Sequence, residues 1–77
     1  MKLKKAVKQF RMRNISSSKT YWIAADEDGY IFIYWDHKPT ICTEAFYWVN
    51  ASYNIRVSDK LYTGKKHWTK TLKEFTI

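Results

Sequence analysis

The sequence predicts an α+β domain, mostly β: an antiparallel sheet of four or five strands with one short C-terminal helix. Three observations carry this. Tyr21–Ala25 and Tyr30–Trp35 are rich in aromatic and β-branched residues on either side of Asp26-Glu27-Asp28-Gly29, the composition of two strands around a turn. Phe46–Val49 and Tyr53–Val57 repeat the pattern across Asn50-Ala51-Ser52. Near the end, Trp68, Leu72 and Phe75 are four and three residues apart, one face of a short helix.

Taken in order, residues 3–13 fit two periods. Leu3, Ala6, Val7 and Phe10 stand at helical spacing, whereas between Val7 and Asn14 the positions Lys8, Phe10 and Met12 fit alternation. The alternation favours a strand, solvated on one face, with Lys8, Arg11 and Arg13 outward. Asn14–Thr20 is a polar loop. In the turn that follows Ala25, Gly29 supplies a positive φ without steric cost and the aspartates bond nearby N–H groups. Asp36-His37-Lys38-Pro39 ends the second strand, since proline lacks the N–H that a central strand needs. Thr40–Ala45 reads as a short connection and Phe46–Val49 as a third strand of the sheet. Tyr53, Ile55 and Val57 share one side of the return strand, and Ser58-Asp59-Lys60 turns the chain again. Thr63-Gly64 starts the helix, on which Lys66, Lys70 and Lys73 form a basic stripe. The division expected is one domain over 1–77, with a basic N-terminal strand or arm (1–19), a sheet (20–60) and a helix (64–75).

The second strand is apolar on both sides. Tyr30, Phe32 and Tyr34 point one way, and Ile31, Ile33 and Trp35 the other. Trp68, Leu72 and Phe75 are expected to cover one face. The other face is left to the N-terminal segment, to a second copy in a homodimer, or to a partner.

Seventy-seven residues limit the core. Fourteen aromatic residues, four of them tryptophan, enlarge it and are also the residues that binding surfaces favour. The single cysteine, Cys42, excludes an intramolecular disulfide and a multi-cysteine zinc site, and points to a reducing cytoplasm. The basic N-terminus lacks the apolar run of a secretory signal, and no segment is long enough to span a membrane. The two sequons, at Asn14 and Asn50, are therefore read as coincidental. The formal net charge is +7. Residues 1–19 carry seven bases and no acid, residues 20–45 are net −4, and residues 46–77 are net +4. Two basic ends around an acidic middle suggest an anionic partner, or serve solubility alone.

Trp22, Asp26, Asp28, Gly29, Tyr30, Phe32, Tyr34, Lys38, Pro39, Trp48, Trp68, Thr71 and Leu72 form a pattern. It consists of an aromatic strand, Asp-x-Asp-Gly, a Tyr/Phe strand, Lys-Pro, and a late Trp-x-x-Ser/Thr-Leu. Over residues 20–75 the chain resembles a group of small phage and prophage accessory proteins. That resemblance implies a viral or prophage origin and a small β-rich fold. It implies no activity and brings no catalytic residue. Trp35, placed before Asp36, departs from the pattern by adding bulk.

Asp26, Glu27 and Asp28 are too short a run for a calcium loop and read as turn chemistry. His37, His67 and Cys42 belong to no nucleophile or metal motif, and Gly29 and Gly64, the only glycines, make no phosphate loop. The expectation is no catalysis, no metal and no cofactor. Candidate binding residues are Lys4, Lys5, Lys8, Arg11 and Arg13 at one end and Lys65, Lys66 and Lys70 at the other. Tyr34 and Trp35 are the rings available for stacking. The leading expectation is a non-catalytic, cytoplasmic phage-type protein that binds a host protein or protein–nucleic-acid complex, and a host-defence inhibitor is its most concrete form. The alternative is direct binding of DNA or RNA. Neither involves a membrane, and a homodimer is compatible with both.

Overall fold

The structure is a computed structural model that describes residues 1–13, 19–57 and 59–77. It is α+β and mostly β. One helix, α1 (Leu3–Arg13), is followed by β1 (Thr20–Ala25), β2 (Ile31–Trp35), β3 (Thr40–Cys42), β4 (Tyr47–Val49) and β5 (Tyr53–Arg56). A 3-10 turn (Trp68–Lys70) then leads into β6 (Lys73–Thr76). The main sheet is antiparallel with order β5-β2-β1-β6, and β3 and β4 form a separate two-stranded sheet.

The central hairpin is as the residues predict. Ile23 pairs with Ile33 and Ala25 with Ile31. Gly29 has φ +93 and its N–H donates to the Asp26 carbonyl at 2.9 Å. The Asp28 carboxylate accepts the Tyr30 N–H at 3.1 Å. Alternation along β2 gives two cores. Ile31 and Ile33 join Ile23, Ala25, Val57 and Phe75 beneath Ala6 and Val7 of α1. Tyr34 joins Ala24 and Trp48, with Phe32, Trp22, Ile41, Trp68 and Leu72 packed around them. Both faces of β1 and β2 are thus covered by the chain itself, one by α1 and the other by the β3–β4 hairpin and the 3-10 turn, whereas β5 at the edge is exposed along its length.

Several expectations are corrected. Val7–Asn14 is no strand: residues 3–13 are helical, because helical spacing collects Leu3, Ala6, Val7 and Phe10 into the stripe that seals the sheet. The C-terminal helix is absent. Phe75 lies in β6, opposite Tyr21 of β1, and faces α1, while Trp68 and Leu72 face the other core. Thr69, Thr71 and Thr76 weigh against helix in this stretch. The hydroxyl of Thr71 accepts the distant Ala25 N–H at 2.9 Å and donates to the local Trp68 carbonyl at 2.6 Å, which ties this stretch to the end of β1. Thr40–Cys42 is a strand and not a connection, and β4 pairs with it instead of joining the main sheet. The Asn14–Thr20 loop lies outside the described residues except for its end, where Lys19 precedes β1 and Thr20 opens it; Ser58 of the last turn also lies outside them. The Asn50 side-chain amide reaches the carbonyls of Trp35, His37 and Tyr53 at 3.3, 3.0 and 3.2 Å, so it holds the turn before β5.

Candidate functional site: a cationic groove beside an edge strand

With Leu3, Ala6, Val7 and Phe10 turned to the sheet, the helical period carries Lys4, Lys5, Lys8 and Arg11 to the outside. β6 is the outer strand next to β1, and its Lys73 stands opposite Ile23 on the side that α1 covers. Between helix and strand runs a groove of about 720 Å³. Lys4, Lys5, Lys8, Arg11 and Lys73 line it, with Lys2 at one end. Its apolar floor is Val7 and Phe75. None of these cations is in an ion pair among the described residues, where the ion pair formed is Arg56–Asp59 at 3.2 Å. Like charges held together without acids make a positive potential that an anionic partner would relieve.

Arg11 is tied down. Its guanidinium donates to the Thr76 carbonyl at 2.9 Å and lies 5.7 Å from the centre of the Phe75 ring. Phe75 also stacks on Tyr21, with ring centres 5.6 Å apart and planes inclined by 21°. The floor ring is therefore enclosed by protein groups and offers no face for a base. What the groove presents is lysine charge and the aliphatic stems along its walls.

The other candidates are dispersed. Arg13 ends α1 and lines a separate depression with Arg56, Val57, Asp59 and Lys60. Lys65, Lys66 and Lys70 are exposed in and before the 3-10 turn and do not line the groove. Tyr34 is 2 % exposed, and its hydroxyl donates to the Trp48 carbonyl at 3.3 Å. It is a core residue and cannot stack on a base; burial, with the nearby Asp26, pushes its phenol well above the ordinary range. Trp35 is half-buried, stacked on Tyr53 at 5.7 Å and edge-on to Tyr21 at 6.2 Å. The sequence placed Lys73 on a helical stripe with Lys66 and Lys70. Only the pairing of β6 with β1 brings it opposite the helix.

Of the acids, Asp28 is turn chemistry, but Asp26 does more. It is 9 % exposed, and its Oδ1 accepts the Trp48 N–H at 2.8 Å, fixing β4 to the β1–β2 turn. Burial holds its carboxyl above the usual range, the Trp48 bond opposes that, and Asp28 adds to it. His67 caps the 3-10 turn: its Nδ1 accepts the Thr69 N–H at 3.4 Å and lies 2.8 Å from the Thr69 hydroxyl. Among the described residues no group of three His, Cys, Asp or Glu could hold a metal ion, and no helix is long and apolar enough to cross a membrane. Compared with known proteins, the chain matches no family model, no curated protein and no solved structure.

Proposed function

We propose that this chain is a non-catalytic binding protein whose groove between α1 and β6 docks on an acidic surface of a host protein. The observation that carries this is the set of lysines without acidic partners on an apolar floor. Charge steers such an encounter, and aliphatic stems with Val7 supply contact once water is expelled. The phage-like sequence pattern motivates placing the partner in a host cell, with an inhibitor of a defence complex as the concrete form. The enclosed Phe75 ring argues for a protein partner over single-stranded nucleic acid, which binds largely by stacking.

A second reading, direct binding of DNA or RNA backbone, is favoured by the density of cations on α1, where Lys4, Lys5, Lys8, Arg11 and Arg13 fall within ten residues. The two are separated by anisotropy titrations of labelled polyglutamate, duplex DNA, single-stranded DNA and RNA at about 50 and about 200 mM salt. The protein-partner reading expects the acidic peptide to bind, with loss in a Lys4→Glu/Lys8→Glu variant, and nucleic acid to release at the higher salt. Tight nucleic-acid binding with a steep salt slope transfers the assignment to the second reading. Failure of every probe removes both.

A further inference from the structure

A second surface, of opposite character, lies across the sheet from the groove. Two cavities of about 360 and 220 Å³ share Asp26, Phe32 and Tyr47 and together form a cleft between the β1–β2 turn, the outer face of β2 and the β3–β4 hairpin. Tyr30 and Phe46 line its larger part, with Glu27 and Asp28. Tyr34 and Trp48 line the smaller. We infer that this cleft binds an organic cation, an alkylammonium or guanidinium group held between aromatic rings and carboxylates.

Four observations carry it. First, the lining combines the rings of Tyr30, Phe32, Phe46 and Tyr47, whose faces attract cations, with the carboxylates of Asp26, Glu27 and Asp28. Second, Asp26 is nine-tenths buried and lines both cavities, yet only its Oδ1 is used; its Oδ2 accepts no hydrogen bond among the described residues. Third, the Arg56 guanidinium lies 4.9 Å from the centre of Tyr30, so one ring of the lining already holds an organic cation and the incoming one falls to Phe32, Phe46 and Tyr47. Fourth, Phe46 holds φ 57 while its side chain is 56 % exposed. Its N–H donates to the Cys42 carbonyl at 3.0 Å, and its carbonyl accepts the Glu27 N–H at 3.4 Å. Glycine or asparagine would make the same backbone bonds with less strain. A large ring kept in the left-handed region without being buried fits a residue selected for what it contacts.

The test is an amide and indole NMR titration at constant ionic strength with three probes: tetramethylammonium, acetyl-arginine methylamide and uncharged tert-butanol. Saturable shifts at Gly29, Tyr47 and the Trp48 indole are expected with both cations and not with tert-butanol. Tighter binding of tetramethylammonium marks the site as one for a free small cation; tighter binding of the arginine probe marks it as one for a basic side chain. Phe46→Asn, which suits the left-handed backbone, is expected to keep or raise the melting temperature while weakening cation binding about fivefold or more. It should leave polyglutamate binding at the groove unchanged. No saturable shift with either cation, equal shifts with tert-butanol, or unchanged affinity in both Phe46→Asn and Tyr47→Ala overturns the inference.

Discussion

The Asp26 carboxylate accepts the backbone N–H of Trp48 at 2.8 Å, so a single buried acid joins the β1–β2 turn to the hairpin that covers one face of the sheet. Asp26→Ala leaves that N–H buried and unpaired and is expected to cost about 1–3 kcal/mol. Asp26→Asn keeps an oxygen acceptor and removes the buried charge. The folded-state pKa is raised above the ordinary 3.8, so the folded protein holds this proton more tightly than the unfolded chain does. Stability from this group therefore falls as pH rises through that window and stays lower above it. Asp26→Asn is expected to equal or exceed the parent at neutral pH, with the gap closing as the medium is acidified towards 3.8. Urea unfolding across pH measures this. A neutral-pH loss above about 1 kcal/mol in the Asn variant would show that the charge itself strengthens the bond.

Thr71 is 2 % exposed and bridges Ala25 to the 3-10 turn. Thr71→Val keeps the shape and strands the Ala25 N–H, with an expected loss of about 1–3 kcal/mol. Thr71→Ser should recover most of it. Equal losses in Val and Ser would assign the effect to the methyl group and not to the hydroxyl.

Gly29→Ala combines two penalties. The φ of +93 is unfavourable for any L-residue, and an added Cβ would lie 3.1 Å from the Leu61 Cβ. The expected cost is about 1–2 kcal/mol or more, read as a lower denaturation midpoint with an unchanged slope.

Within the groove, Arg11 and Lys8 should separate binding from stability. Lys8→Ala is expected to weaken polyanion binding while changing stability by less than about 0.5 kcal/mol. Arg11→Ala removes the bond to Thr76 and the contact with Phe75 as well as a charge, so it should lower both affinity and stability, the latter by about 1 kcal/mol. Parallel melts and titrations test the distinction, and a Lys8→Ala variant with undiminished affinity would remove the helix from the binding surface.

The central hairpin was legible because its signals are local: a glycine at the one turn position that needs positive φ, between two aromatic strands. The alternation of large residues in β2 also announced that both faces required cover. What covers them was not legible. Phe10 to Arg13 fits the alternating period and Leu3 to Phe10 the helical one, and the choice is made by the apolar surface of Ile23, Ile33 and Phe75, which a single strand could not seal. Trp68, Leu72 and Phe75 mimic a helix face only because three- and four-residue gaps arise equally when a chain crosses from one side of a sheet to the other. For the groove, the lysines were visible as charge, but Lys73 gains its place from pairing with distant β1. The cleft was the least legible, since nothing in the composition marks Phe46 as left-handed or Asp26 as the anchor of a hairpin.

The backbone N–H of Thr63 donates to the Met1 carbonyl at 3.0 Å, the Met1 amino group donates to the Leu61 carbonyl, and Ile77 donates to the Lys19 carbonyl at 3.4 Å. Segments distant in sequence thus hold one another: Met1 is held by Leu61 and Thr63, and Ile77 extends the pairing of β6 with β1. Residues 1–63 contain α1, β1, β2, β5 and the Leu61 and Thr63 groups that hold Met1, but lack β6, whose Phe75 completes the core beneath the helix. A protease nick between Leu61 and Trp68 should therefore not release a stable subdomain, but leave two pieces that hold together as a complex or lose their structure together.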